Sequence, residues 1–335
     1  MKKLFVVVIL LAWFAAPARA DFDAGVAAYE RGDYAKALKN FHAAAEHGNT
    51  TAQTYLGNMY RDGEGVSQDY DIALQWFRKA AMNGHAGAQV NLGLMYYNGQ
   101  GVPQDYTEAR RWYLLAAEQG EANAQSNLGL IYHEGRGIKQ DLTEAVRWSR
   151  KAAEQGHTVA MLTLGIMYSE GKAVRQDDTE AARWFRLAAE KGNAAAQTYL
   201  GTMYKEGLGV PQDHIKALHW FRMAAEQGFA KAQVNFGYMY FNGDGVKKDY
   251  FESAKWFRKA AEQGETRGQT NLGIQYATGQ GVQKNLVLAY MWFDLAMGQG
   301  DHATGELRDM AAAKMTPAQI AEAKKLAREW KPKRQ

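Results

Sequence analysis

The sequence predicts an all-α solenoid of stacked αα hairpins, on three observations. Gly57, Gly93, Gly129, Gly165, Gly201, Gly237 and Gly273 recur every 36 residues. Trp76, Trp112, Trp148, Trp184, Trp220, Trp256 and Trp292 keep the same interval without an insertion. Between these markers the apolar residues follow the 3.6-residue period of a helix. A fixed period of this length marks a repeat architecture: one hairpin cannot bury its apolar face alone, and stacked neighbours bury it together.

Residues 1–20 stand outside the array. Lys2 and Lys3 are followed by an apolar run from Leu4 to Phe14 and by Ala18-Arg19-Ala20. A basic start, a short apolar stretch and a small-x-small site form the pattern of a secretory signal peptide, so the mature chain is expected to begin at Asp21. The run is short for a spanning helix, which needs about 20 residues; an uncleaved membrane anchor is the alternative. No later segment is apolar for long enough to span a bilayer.

Residues 21–48 read as a shortened N-terminal capping copy, in which Tyr29-Glu30-Arg31-Gly32-Asp33-Tyr34 replaces a longer loop and Asn40 stands where the others carry tryptophan. Residues 49–300 hold seven full copies. In the first helix of each, positions such as Ala52, Gln53, Leu56, Gly57, Met59 and Tyr60 trace one face. A mid-helix glycine costs about 1 kcal/mol relative to alanine, a cost that close approach of the partner helix beneath Trp76 would offset. Gly63 and Gly65 punctuate the loop. Asp69 is the N-cap of the second helix, and pairs such as Asp105 with Glu108 and Asp141 with Glu144 suggest capping boxes. Ala73, Trp76, Phe77, Ala80 and Ala81 form its buried stripe, and Gly84 ends it in the left-handed C′ position. Residues 301–335 read as a C-terminal helical cap opened by Thr316-Pro317-Ala318-Gln319, a capping box with proline at the first helical position.

Composition narrows the function. Of 40 basic residues, Lys2, Lys3 and Arg19 fall in the leader, leaving 37 against 36 acidic ones. A near-neutral mature chain argues against nucleic acid as the main ligand. With no cysteine, disulfides, thiolate metal sites, a cysteine nucleophile and a lipidated N-terminal cysteine are excluded.

The unit Ala-Gln-x-x-Leu-Gly-x-Met-Tyr, Gly-x-Gly-Val, Asp-Tyr-x-x-Ala-x-x-Trp, Ala-Ala-x-x-Gly resembles the Sel-one-like repeat, a relative of the tetratricopeptide repeat, over nearly all the mature chain. The short first unit is closer to the tetratricopeptide form. The resemblance implies right-handed stacking of the hairpins, with the first helices lining a concave side. It also implies adaptor or scaffold work, often in the bacterial envelope or at a host interface; the expected location is therefore periplasmic or secreted.

Ligand contacts on such a scaffold belong to variable positions opposite the constant stripe. One first-helix row runs Tyr55, Asn91, Asn127, Thr163, Tyr199, Asn235, Asn271; the next runs Asn58, Leu94, Leu130, Ile166, Thr202, Tyr238, Ile274. Side-chain amides offer both donor and acceptor to the backbone of an extended peptide, and Tyr199 and Tyr238 could anchor it. Alternatively, the asparagines satisfy neighbouring turns or water and the aliphatic residues pack between repeats. Glu134, Glu170 and Glu206 form an acidic row that could attract a basic segment or simply edge the groove. The second helices carry a basic row, Arg78, Arg150, Arg186, Arg222 and Arg258; the last four each precede a glutamate by four residues, the spacing of surface ion pairs, and an anion-binding ridge is the alternative.

No Ser-x-x-Lys, Gly-x-Ser-x-Gly or phosphate loop is present, and His214 and His219 lack the spacing of a zinc pair on one helix face. No catalytic residue, cofactor or metal is expected. The favoured partner is another protein or an extended peptide segment; the alternative is a cell-wall or β-lactam-processing enzyme of the same repeat family. Cysteine-rich relatives have been linked to β-lactam binding, but their cysteines are missing here.

Overall fold

The structure, a computed structural model, describes residues 19–172 and 174–333. The expected leader lies outside the described residues except for Arg19 and Ala20, which are helical. The described residues are helices and connecting turns without a strand. They form an all-α solenoid of repeats of about 36 residues, divided into two compact units, 1–160 and 161–335.

In the first unit, α1 (described over 19–30) and α2 (Tyr34–Glu46) precede the pairs α3 (Thr50–Asp62) with α4 (Tyr70–Met82), α5 (Ala86–Asn98) with α6 (Tyr106–Glu118), and α7 (Ala122–Glu134) with α8 (Leu142–Glu154). The helix α9 (Thr158–Glu170) belongs to the second unit from Met161 on. The second unit continues with α10 (Asp178–Glu190), then α11 (Ala194–Glu206) with α12 (His214–Glu226), α13 (Ala230–Asn242) with α14 (Tyr250–Glu262), and α15 (Thr266–Thr278) with α16 (Leu286–Gly298). It ends on α17 (Ala303–Ala312) and α18 (Pro317–Glu329). Consecutive helices pack on one another from α2 to α8 in the first unit and from α10 to α17 in the second, and α18 packs back on α16.

Two neighbouring aromatic positions divide the packing between them. A Cβ on Gly57 would stand 2.5 Å from the Phe77 ring, and one on Gly201 2.8 Å from Phe221. The expectation that these glycines admit a tryptophan is therefore corrected: the ring lying on the bare glycine is the next residue along, Phe77, Tyr113, Phe185, Phe221, Phe257 or Phe293. The tryptophan instead fills the seam between its own first helix and the preceding repeat. Trp112 packs with Ala73, Phe77, Ala80, Leu92 and Met95, and Trp148 with Ala109, Tyr113, Leu128 and Ile131. The ring on the glycine thus closes its hairpin, except in α7–α8 where Ser149 meets Gly129, and the tryptophan holds adjacent hairpins together.

The Gln53 position, glutamine in every full copy but the one with Met161, is polar yet buried, so it must find partners. Gln89 donates to the carbonyl of Ala81, near the end of the preceding α4, at 3.1 Å, and accepts from Gln119 at 2.7 Å. Gln125, Gln197, Gln233 and Gln269 make the same two links. Each satisfies a terminal carbonyl that has no intrahelical donor.

Loop geometry accounts for both glycines of the Gly-x-Gly turn. Gly99 ends α5 at φ +71°; Gly101, at φ +68°, would place a Cβ 2.8 Å from the Cβ of Tyr70 in the preceding repeat. Positive φ and lack of room both favour glycine there. At the end of α4, Gly84 N–H bonds Ala81 O at 3.0 Å and His85 N–H bonds Ala80 O at 3.1 Å, the paired bonds of a Schellman motif.

Asp69 and its counterparts cap the second helices, as with Ile72 N–H to Asp69 at 2.9 Å. The capping boxes are complete only at Thr316 and Gln319 among the described residues. Elsewhere the acid of the third position turns outward: Glu108, Glu144 and Glu180 pair with Arg111, Arg147 and Arg183. A second correction concerns the arginine row. Arg222 meets Glu226 at 2.8 Å, but Arg186 and Arg258 donate to the hydroxyls of Tyr204 and Tyr276 on the following first helix, as Arg78, which has Met82 four residues on, does to Tyr96. A tyrosine one helix away competes successfully because it is held in place by packing, whereas a surface ion pair must order two flexible chains.

The first helices are capped by Asn49 and Asn193 and, in two repeats, by histidine. Ala88 N–H donates to His85 Nδ1 at 3.2 Å, and Ala160 N–H to His157 Nδ1 at 3.3 Å. Burial lowers the pKa of both rings, and a protonated Nδ1 cannot accept the cap bond. The folded chain therefore favours the neutral rings, which contribute their full stability above the unfolded value of about 6.5 and lose it as pH falls through the depressed folded values. Replacing both with asparagine, the residue at Asn49 and Asn193, is expected to shrink the fall in melting temperature between pH 7.5 and pH 5, followed by circular dichroism. An unchanged pH profile would contradict the cap assignment.

Candidate functional site

The residues singled out from sequence lie on the first helices, but in three different settings. Tyr55 belongs to the packing of the first repeats: it stacks on Phe41 at 4.7 Å and meets Tyr29 edge-on at 5.5 Å. Asn91 and Asn271 are occupied. Asn91 donates to Asn58 and accepts from Arg61, each at 3.1 Å, and Asn271 accepts from the Tyr238 hydroxyl at 2.9 Å and donates to the Arg267 carbonyl at 2.7 Å. Tyr238 also lies edge-on to Phe257, beneath Arg267. Asn127 and Asn235 are half-buried and no side-chain hydrogen bond engages them among the described residues.

The acidic row is neutralised locally. Glu134 pairs with Arg136, Glu170 with Lys172 at 2.8 Å and Glu206 with Lys205 at 3.2 Å. Asp62, at the same position, is held below the usual carboxylate range by the Arg61 guanidinium 2.7 Å away. Because each acid has its own cation, the row attracts a basic ligand less than its sequence suggests.

In the second unit the first-helix face opens into a groove of about 560 Å³ between α9, α11 and α13. Leu162, Ile166 and Val234 give it an apolar floor, Tyr199 and Asn235 enter it from adjacent helices, and Lys231 and Arg267 stand at its rim with Glu265. Tyr199 is 43% exposed although its ring lies flat on Phe185, at 4.8 Å and 4°. A large aromatic surface held in one orientation by a buried ring, and still open to water, is a ready-made contact surface.

The structure therefore brings Tyr199 and Asn235 together in one groove, joins Tyr238 to Asn271, and ties Asn91 to its neighbours. Sequence reasoning missed Leu162, Val234, Lys231 and Arg267. The signal was available: residues 195, 198, 199 and 202 share one face, and the row Thr54, Val90, Ser126, Leu162, Thr198, Val234, Thr270 varies as much as the row beside it. Among the described residues no helix is long and apolar enough to cross a membrane.

The Sel1 repeat model matches residues 19–49, 50–85, 86–121, 122–157, 158–193, 194–229, 230–265 and 266–301. Two crystal structures are similar to the chain. One is c5321, a protective antigen present in uropathogenic Escherichia coli strains and displaying an SLR fold: identity is 31% over 93% of this chain and 91% of that one, with a TM-score of 0.57. The other is a Sel1 repeat protein from Oxalobacter formigenes, 34% identical over 72% of this chain and 96% of that one, with a TM-score of 0.66. No curated protein matches the chain. Sel1 repeats are commonly protein–protein interaction scaffolds and are generally not enzymes. With eight repeats in succession, the chain belongs to the Sel1 repeat family.

Proposed function

We propose that the chain is an exported scaffold that holds an extended segment of another protein along the faces of its first helices, with the groove around Tyr199 as the principal contact. The carrying observation is that groove: an apolar floor, an exposed aromatic ring fixed from below, and the uncommitted amide of Asn235 beside it. An amide can bond the ligand's backbone whatever its sequence, while the floor selects an apolar side chain. Export rests on the N-terminal pattern, and the description of the E. coli relative as a protective antigen supports an exposed location.

The test begins with crosslinking and purification from native cells. N-terminal sequencing of the purified protein should read from Asp21, and the crosslinked partner is identified by mass. Thr202→Arg, which sends a long cation across the groove from a half-buried position, is expected to weaken binding of that partner at least tenfold while leaving the melting temperature nearly unchanged. Undiminished binding to Thr202→Arg would remove the groove from the function.

A further inference from the structure

The segment after α18 occupies a groove on the opposite set of helices. After α18 the backbone becomes extended at Trp330, whose ring meets Trp292 edge-on at 5.9 Å. The Lys333 N–H then bonds the carbonyl of Glu262, the last residue of α14, at 2.8 Å, and the Lys333 ammonium reaches the Glu262 carboxylate at 2.9 Å. A helix C-terminus suits such a guest: its last carbonyls lack donors and its dipole favours a cation. This tail groove is lined by Glu226, Gln233, Lys259, Glu262 and Gln263.

The same groove recurs in the first unit without a tail. Glu118, Gln125, Lys151, Glu154 and Gln155 line a cleft of about 620 Å³ and correspond position for position, three repeats earlier, to the residues around Lys333. The details match. Lys151 lies over Trp148 at 4.6 Å as Lys259 lies over Trp256 at 4.0 Å. Gln155 donates to Gln125 at 2.8 Å as Gln263 does to Gln233. Glu118, Lys151 and Glu154 repeat the acid–lysine–acid set of Glu226, Lys259 and Glu262, and no other pair of repeats has it. The lysine position is Leu115, Leu187, Met223 or Leu295 in four other copies, and Lys79 is followed by Met82 instead of glutamate. In the first-unit cleft Glu144 is paired with Arg147, whereas Glu118 and Glu154 are exposed and have no ion-pair partner among the described residues.

We propose that the cleft at Glu118, Lys151 and Glu154 binds an extended basic segment of a partner protein, of the Lys-Pro-Lys kind that the chain itself presents to the sister groove. Proline keeps the preceding residue extended, so the lysine backbone can reach the terminal carbonyl while its ammonium reaches the carboxylate. Two unpaired acids facing one lysine leave the cleft with the charge such a segment needs. This surface is separate from the first-helix groove, and either can fail without the other.

The probe is a fluorescently labelled peptide, Trp-Lys-Pro-Lys-Arg-Gln, titrated into the full mature chain and read by anisotropy. Expected is saturable binding at one site, weakened at least tenfold by Glu154→Lys, weakened by added salt because exposed ion pairs are screened, and unchanged by Glu190→Lys. The same peptide with its second lysine replaced by glutamate should not bind. Melting temperatures of both protein variants report that they are folded. Absence of saturation, or equal binding to Glu154→Lys, overturns the proposal. So does a loss seen with Glu262→Lys alone, which would mean that the peptide merely displaces the chain's own tail.

Discussion

Trp148→Ala should destabilise the protein by about 3–5 kcal/mol, the range for emptying a buried aromatic site. The side chain is 4% exposed and sits among Ala109, Tyr113, Ala116 and Ala117 of the preceding hairpin and Ala124, Leu128 and Ile131 of its own partner helix α7. Several of these neighbours are alanines on helix backbones, which cannot swing in to fill the space, so the cavity term is close to its full value. Hydrogen bonding adds little, because the buried indole Nε1 has no acceptor; Trp148→Phe should therefore cost clearly less than Trp148→Ala. Arg147, one residue away on the same helix, is exposed and pairs with Glu144, and Arg147→Ala should cost less than about 1 kcal/mol. Urea unfolding of the three variants decides the matter. A larger loss for the arginine than for the tryptophan would mean that the faces of α8 are wrongly assigned.

The sequence reveals that Trp148 is buried but not what it touches. Period and composition expose the helices, the loop glycines and the caps, because each obeys a local rule within a few residues. They do not expose which of Trp76 and Phe77 meets Gly57. The two are adjacent and roughly a quarter-turn apart on the helix, so the choice depends on the crossing of two helices, a tertiary quantity. The pairs expected of Arg186 and Arg258 failed for the same reason: an i,i+4 glutamate is visible in sequence, while the tyrosine that wins, 18 residues on, is brought close only by hairpin packing.

The candidate site was half legible. That Asn91, Asn127, Asn235 and Asn271 share a face follows from spacing alone. Whether an amide is already spent depends on the residue 33 positions earlier, on the neighbouring first helix: Asn58 engages Asn91 and Tyr238 engages Asn271. Leu162 and Val234 were missed because helices such as α9, Thr-Val-Ala-Met-Leu-Thr-Leu-Gly-Ile-Met-Tyr-Ser-Glu, are apolar on most sides. Periodicity cannot then separate a residue that lines a groove from one that fills the core.

Removing residues 86–121, one complete repeat, should leave a cooperatively melting protein, whereas removing residues 86–103, the first helix and most of its loop, should abolish cooperative unfolding. The in-phase deletion joins His85 to Ala122 and rebuilds each junction with an equivalent residue. Gln125, which donates to Ala117 O, would find Ala81 O, the carbonyl that Gln89 uses now. Gly137 would face Tyr70, as Gly101 does, and Trp148 would lie on Ala73, Phe77, Ala80 and Ala81 in place of Ala109, Tyr113, Ala116 and Ala117. Contacts in a repeat array are between nearest neighbours, so the loss is about one repeat's own contribution plus one interface. The half deletion instead removes Leu92, Gly93 and Met95 and leaves Tyr113 without the bare glycine on which it rests. It also sets α6 directly after α4, two second helices in succession, with their apolar stripes lacking the first-helix surface they need. Thermal melts followed by circular dichroism, with the mass measured by light scattering, separate the outcomes. Equal melting of the two deletions would mean that stability is not built from nearest-neighbour stacking, because only the in-phase deletion preserves every type of junction.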